Sequence, residues 1–431
     1  MTTASLAQPT LSQPSGGIAP QPSQAVSSRT RSPDSPAVWT EPGTASFQRV
    51  SVALFLAGFS TFSLIYAVQP LLPSLAAEFH RSPSESSLAL SVTTGCLAFA
   101  ILCAGAVSES AGRRGLMFAS MAAAAILHIA SAAAPDWRMM LVLRALEGIM
   151  LGGVPAVAMA YLAEEVQPKA LGAAMGLYVG GTAFGAMMGR LGMGALTEFT
   201  SWRVALGALG VIDLVVALGF VLLLPNSRNF VRRPGAGFAH HRAAWLGHLR
   251  SPGLPLLFLT GFLVLGVFVA TLNYLTFRLA APPYGLGQGQ VSVIFTVFLF
   301  GVVASPLAGR MADRVGRGLV LVVGVLVMAA GTGLSLLPSL PGVIAGVVAV
   351  TIGFFIAHSV ASGWVGRMAA GNKGHAASLY LLSYYLGSSV LGSAGGWFWA
   401  EGGWTAVTGF NGALLVLALA VALRLRRIER R

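Results

Sequence analysis

Charge is what this chain of 431 residues has least of. Asp, Glu, Lys and Arg together make up 10% of it, against about 25% in an average soluble protein. Apolar residues make up 55%, more than a single soluble core could hide. Cysteine is nearly missing: Cys96 and Cys103 share one apolar run, about 10 Å apart along a helix. That is too far to bridge, so both read as small packing residues. No Gly-x-x-x-x-Gly-Lys-Ser/Thr loop occurs, and an ATP-driven pump is therefore not indicated. Metal-ligand clusters and activated-nucleophile motifs are missing too, so the chain is expected to be no enzyme and to need no cofactor or metal. Residues 1–46 lack anything to bury, being Pro, Ser, Gln, Thr and Gly, and are expected to form a disordered cytoplasmic tail. No short apolar stretch with a cleavage site precedes the first long run, so the tail does not read as a signal peptide.

What the chain does have is apolar runs of about 20 residues, each enough to cross the roughly 30 Å hydrocarbon layer as a helix. Twelve are expected, beginning near Val50, Ser87, Leu116, Met139, Ala170, Val204, Leu254, Val291, Leu319, Val343, His375 and Thr405. In lipid every backbone N–H and C=O must be satisfied within the protein, so runs of this length must be helices. The expected fold is all-α and multi-pass. The net charge of +13 could suggest a nucleic-acid partner, but its distribution argues against one. Outside the spans, every Lys and Arg except Arg81, Arg138, Arg203 and Arg278 falls on one side of the bilayer, while Arg144 and Arg190 lie within spans. The positive-inside rule then places both termini in the cytoplasm.

Two stretches between apolar runs resemble each other. In GAVSESAGRR and GRMADRVGRG, an acid, a Gly and an Arg fall at Glu109, Gly112 and Arg113, then at Asp313, Gly316 and Arg317, each pair displaced by 204 residues. GLYVGGTAFG lines up with SLYLLSYYLG at a displacement of 202, and Trp202 with Trp404 likewise. The chain therefore divides into the tail 1–46, a six-helix bundle 47–225, a linker 226–252 and a second six-helix bundle 253–431 in the same orientation. The join from Pro225 to Pro252 carries five Arg, three His and no acid. It is expected to be cytoplasmic and in part an interfacial helix. Two parallel repeats of this kind place a substrate site at the midplane between them, opened to each side in turn.

The paired motif resembles the loop between spans two and three of the major facilitator superfamily and its echo between spans eight and nine. Gly105, Gly112, Arg113 and Arg114 match the pattern, while Glu109 and Ser110 replace its usual Asp and Arg. In the second copy Gly309, Asp313, Arg314, Gly316 and Arg317 match, and Gly318 replaces the last base. Arg144, Glu147 and Gly148 resemble the fourth-span motif Arg-x-x-Gln-Gly, with Glu for Gln. GGVPAVAMAYLAEEVQP and GFFIAHSVASGWVGR resemble the YnfM-like branch of bacterial inner-membrane transporters, grouped with sugar-efflux permeases. The resemblance runs from about Arg49 to the C-terminus. It implies that Glu109 and the motif arginines latch the cytoplasmic ends of the two halves, where the residues alone allow a charged anchor that only fixes topology.

The intramembrane polar residues are the site candidates. Arg144 lies deep in the fourth span, where a charge costs several kcal/mol unless paired or hydrated. Glu147 shares its helical face. The position displaced by 204 is Val348, so the repeat itself does not require this Arg. Substrate or proton coupling is favoured, with a structural ion pair as the alternative. His358 in the tenth span is a proton carrier, a cargo ligand or a hydrogen-bonded packing residue. Asp213 and His128 are also intramembrane, but the resemblance implies that spans three and six are peripheral. The fifth span carries Gly172, Gly176, Gly181, Gly185, Gly189 and Gly194, spacings that let helices approach closely. The Gly-Pro that superfamily antiporters often have near this point is Gly189-Arg190 here, and Arg190 is a candidate for an anionic or polyhydroxy group. Gln69, Asn273, Tyr274, Tyr380, Tyr384 and Tyr385 complete the expected cavity lining, suited to an amphipathic cargo. The favoured function is a carrier, working as a monomer in the bacterial inner membrane, that expels a small organic solute (a drug-like compound or a sugar) against inward proton flow. Uptake by symport or facilitated diffusion is the alternative, and a non-transporting receptor is the third reading.

Overall fold

A computed structural model describes residues 1–2, 39–230, 238–369 and 371–430. Most of the tail 1–46 thus lies outside the described residues, as does part of the linker. The surroundings of Gly105 and the side chain of Glu109 are also outside the description. The spans are α1 (Ala45–Tyr66), α2 (Pro83–Ala111), α3 (Arg113–Ala132), α4 (Trp137–Glu165), α5 (Leu171–Thr197), α6 (Trp202–Leu223), α7 (Leu254–Ala280), α8 (Gln288–Val315), α9 (Arg317–Leu334) and α10 (Leu340–Met368). The last long helix, Lys373–Glu429, has 57 residues, more than twice a span. Its helical dihedrals break at Gly402 and Gly403, the latter at φ +57, and the chain reverses there. Trp404 donates to Ser335 O at the end of α9, while the carboxylate of Glu429 accepts from the N–H groups of Arg317 and Gly318 at its start. The final helix is therefore α11 (373–401) followed by α12 (404–429), antiparallel to α9, and the passes number twelve. Trp202 and Trp404 each stand at the start of the sixth span of their half, as the repeat requires.

Helix starts are made in two ways. Side chains cap some of them: Thr44 for α1, Ser82 with Glu85 in a capping box for α2, Asp136 for α4, Ser201 for α6 and Ser339 for α10. Each satisfies N–H groups that have no partner within the helix. At the terminal end, α3 and α9 instead begin directly behind Gly112 and Gly316. These glycines hold φ +87 and φ +95, backbone that L side chains rarely adopt. This is the answer to the twice-repeated motif: its second glycine makes the hairpin between spans two and three, and again between eight and nine. Gly309 has open space around it, so no steric demand explains the first glycine of the second copy.

Within each half the closest packing follows glycine. Gly181, Gly185 and Gly189 of α5 lie against the backbone of Phe55, Phe59 and Ser63 of α1, and Gly387 of α11 lies against Phe262 of α7. The matched pairs 59/185 and 262/387 show the two halves built alike. Near the terminal end, Thr40 forms an isolated parallel bridge with Val166, and the linker contains a helix, Phe238–Leu249. That helix packs on the second half through His241 and His375, 2.9 Å apart.

Candidate functional site

The two halves meet along α2 with α11 and α5 with α8. Among the described residues, every hydrogen bond between them lies in the part of the bundle away from the termini. Ser393 Oγ donates to Ser91 Oγ at 2.6 Å and Ser389 Oγ to Ser91 O at 2.7 Å. Ser87 donates to Ser393 at 3.3 Å. Glu198 of α5 accepts from the N–H of Gly289 at the start of α8, at 2.6 Å, and Gln288 donates to Ser74. Deeper in, Gln69 Nε2 donates to Asn273 Oδ1 at 2.6 Å. These two residues occupy equivalent positions in the two halves, so the pseudo-symmetry of the sequence closes on itself at this contact.

Arg190 adjoins that bridge. Its Nε donates to Gln69 Oε1 and its Nη1 to Ala186 O, both at 2.5 Å. Its guanidinium lies over the rings of Tyr66, Phe298 and Phe295, at 4.0, 4.7 and 5.4 Å from their centroids. Phe298 continues an aromatic wall through Phe268 and Phe354, stacked at 4.1 Å, to His358. His358 Nδ1 sits 2.9 Å from Tyr380 Oη, and its ring lies 4.6 Å from that of Tyr384. The structure thus joins Gln69, Asn273 and Arg190 with His358, Tyr380 and Tyr384 in one band between the halves. Tyr274 stands apart from it: its hydroxyl donates to Ser393 O and its ring stacks near Trp399.

Arg144 and Glu147 form a different cluster, wholly buried inside the first half. Arg144 Nη1 donates to Glu147 Oε2 at 2.7 Å. Its remaining donors reach the carbonyls of Leu64 and Ile65 at the end of α1 and of Ala89 in α2. The last carbonyls of a helix have no partner within it, and a guanidinium there also meets the negative end of the helix dipole. Arg144 therefore ties α1, α2 and α4 together. His128 of α3 closes the cluster, with Nδ1 3.0 Å from Glu147 Oε1. Asp213 of α6 lies near Ser63, whose Oγ is 3.1 and 3.2 Å from its two oxygens. The place of His128 beside Glu147 was not legible in the sequence. Its intramembrane position was the available signal, and a peripheral span gave no reason to pair it with the fourth.

The motif residues bond inside their own halves. Arg113 grips Glu164 with Nη2 at 2.6 Å and Nε at 3.2 Å, and Arg114 donates to Asn226 and Val221 O. In the second half Asp313 accepts from Arg317 at 2.6 Å and from Arg367 at 3.1 Å. Arg314 is exposed. Glu164 and Arg367 hold nearly equivalent positions, but their motif partners do not, since Arg113 corresponds to Arg317 and Asp313 to Glu109: each half ties the end of its fourth span to a different member of the motif. Glu164 escaped the sequence reading because an acid at the end of a span looks like an ordinary surface residue.

The profile of the major facilitator superfamily matches residues 54–287 and 263–431. The chain is 45% identical over 377 residues to the uncharacterized MFS-type transporter YybF of Bacillus subtilis (strain 168), covering 88% of this chain and 93% of that one. It is 44% identical over 388 residues to the inner membrane transport protein YnfM of Escherichia coli (strain K12), covering 89% and 92%. Among solved structures, a bacterial homologue of the human lysosomal transporter Spinster has the same fold, with a TM-score of 0.71 at 15% identity over 89% of this chain and 98% of that one. Twelve passes in two like halves, the doubled glycine hairpin and these likenesses agree: the chain is a multi-pass membrane protein belonging to the major facilitator superfamily of transporters.

Proposed function

We propose that the protein is a secondary active carrier that exports a small organic solute in exchange for protons across the bacterial inner membrane, by alternating access. The observation that carries this reading is that, among the described residues, the hydrogen bonds between the two halves all lie at one end. Serine hydroxyls, Glu198 and the Gln69–Asn273 bridge seal one end, and these are small polar contacts that can be exchanged for water when the halves rock apart. With both termini in the cytoplasm, as the distribution of arginine argues, the sealed end faces outward and the carrier stands in the inward-facing part of its cycle. Among the described latch residues, Arg113 bonds to Glu164 and Asp313 to Arg367, each inside one half, which fits a latch whose arginines are free of the opposite half in this state. Cargo would bind against Gln69, Asn273, Tyr380 and Tyr384. Glu147, shared by Arg144 and His128, and His358 are the proton-binding candidates. The outward direction rests on the resemblance of the fourth- and tenth-span stretches to the sugar-efflux branch.

The test is purified protein in liposomes with an internal pH dye and an imposed proton gradient, with solutes of different charge added in turn. Export coupling is expected to dissipate the gradient only when a solute moves, solute and protons crossing in opposite directions. Movement in the same direction would make the carrier a symporter, and solute equilibration without proton flux would make it a facilitator.

Closure itself can be tested in the same vesicles. Ser91→Cys with Ser393→Cys, made with Cys96 and Cys103 replaced by Ser, places two thiols where the hydroxyls now touch. Oxidation is expected to reduce transport to the level of empty vesicles, and reductant to restore it. Full transport by the cross-linked protein would show that this end need not open.

A further inference from the structure

Arg144 and Arg190 are both almost wholly buried inside spans, yet they are partnered in opposite ways. Arg144 faces the carboxylate of Glu147. Arg190 faces no carboxylate among the described residues: its hydrogen bonds go to two neutral oxygens, and the ionisable groups around it are the phenols of Tyr66 and Tyr384. Three rings share its guanidinium. Cation–π contacts return only part of what burying an unpaired charge costs. The site therefore carries a positive charge that the protein leaves uncompensated.

Its position gives that charge a use. Arg190, Tyr66 and Gln69 belong to the first half, and Phe295, Phe298 and Asn273 to the second. When the sealed end opens, the second-half rings and Asn273 leave, and the guanidinium faces the transport path. A planar fork of N–H donors matches a carboxylate or phosphate in a bidentate way, and Gln69 Oε1 now occupies one of those donors. The aromatic wall from Phe298 to His358 would receive an apolar or aromatic body.

We propose that Arg190 is the cargo-recognition group and that the cargo is an organic anion, a carboxylate or phosphate that takes the place of Gln69 on the guanidinium. This rests on the carrier reading and adds the chemical class of its substrate. The experiment is equilibrium titration of the purified full-length protein in neutral detergent, without any gradient. The probes are benzoate and phenyl phosphate, with benzyl alcohol and benzyltrimethylammonium as neutral and cationic counterparts. At least one anion is expected to bind saturably and about tenfold more tightly than its counterparts, since a hydrogen bond to a charged group is stronger than one to a neutral group. Arg190→Gln should remove that preference and Arg190→Lys should keep part of it. Elution as a single folded species and a cooperative melt in the same detergent guard against a misfolded Arg190 variant, and partial rescue by Arg190→Lys separates loss of the cation from loss of the fold. Unchanged anion binding in Arg190→Gln, preference for the neutral or cationic probe, or no saturable anion binding would each overturn the proposal. Because no transport is measured, these outcomes leave the carrier reading standing. Anion binding at Arg190 without flux of any solute in the liposome assay would overturn the carrier reading and leave Arg190 as an anion-binding group rather than a cargo-recognition group.

Discussion

Replacing Arg144 with Met is expected to cost about 3–5 kcal/mol of stability, the usual consequence of removing one partner of a buried ion pair. For a half of this size that is a fall in melting temperature on the order of 10 °C. The loss has two sources. Glu147 is left with His128 as its only partner in the cluster, and the carbonyls of Leu64 and Ile65 at the end of α1 lose the donors that replace water at that depth. Adding Glu147→Gln should return part of the loss, because the buried carboxylate is gone while the carbonyls remain unsatisfied. The check is thermal unfolding of both variants and the double variant in one detergent, read as a cycle. Melting of Arg144→Met like the parent, or losses that simply add, would remove the clamp. Arg144→Met is expected to transport poorly on stability grounds alone. Its role in coupling must therefore be read from protein that is shown to be folded.

The second large effect is expected from one methyl group. Gly185→Ala would place a Cβ 2.2 Å from Phe59 O, and Gly387→Ala one 2.0 Å from Phe262 O. Both neighbours are backbone oxygens inside packed helices and cannot turn aside. Overpacking of this kind costs about 1–3 kcal/mol or more, and here it would prise α5 from α1, or α11 from α7. Gly176→Ala on the same α5 meets nothing within 4 Å. Since Ala is the better helix former by about 1 kcal/mol, that substitution should be neutral or stabilising. Opposite signs for Gly176 and Gly185 are therefore expected in melting temperature and in the yield of monodisperse protein. Equal effects would mean that the seam between α1 and α5 is looser than its geometry.

How much of this was legible beforehand follows the range of the forces involved. The passes, their helical form and the two-half repeat come from composition and spacing, because lipid permits few alternatives for an apolar run. The hairpin glycines, marked in the sequence by the doubled motif, answer a local demand too, since a positive φ is met by one residue by itself. The last two spans were legible as well: they are expected to begin near His375 and Thr405, and the chain reverses between them at Gly402 and Gly403, with Trp404 and Glu429 packing on α9.

Partnership was the part that only tertiary structure decided. In the sequence Arg144 has an acid, Glu147, on its own helical face, and Arg190 has none within its span. Folding adds a histidine and three carbonyls around the first, and gives the other a cage of rings and a borrowed amide. A long side chain buried in a helix bundle chooses among groups tens or hundreds of residues away, such as His128, Gln69 and Phe298, and no local spacing records that choice. The sequence by itself determined that this is a twofold membrane bundle with a few costly polar residues inside. The packing of the two halves decided which of those residues hold the bundle together and which stand at the seam where it opens.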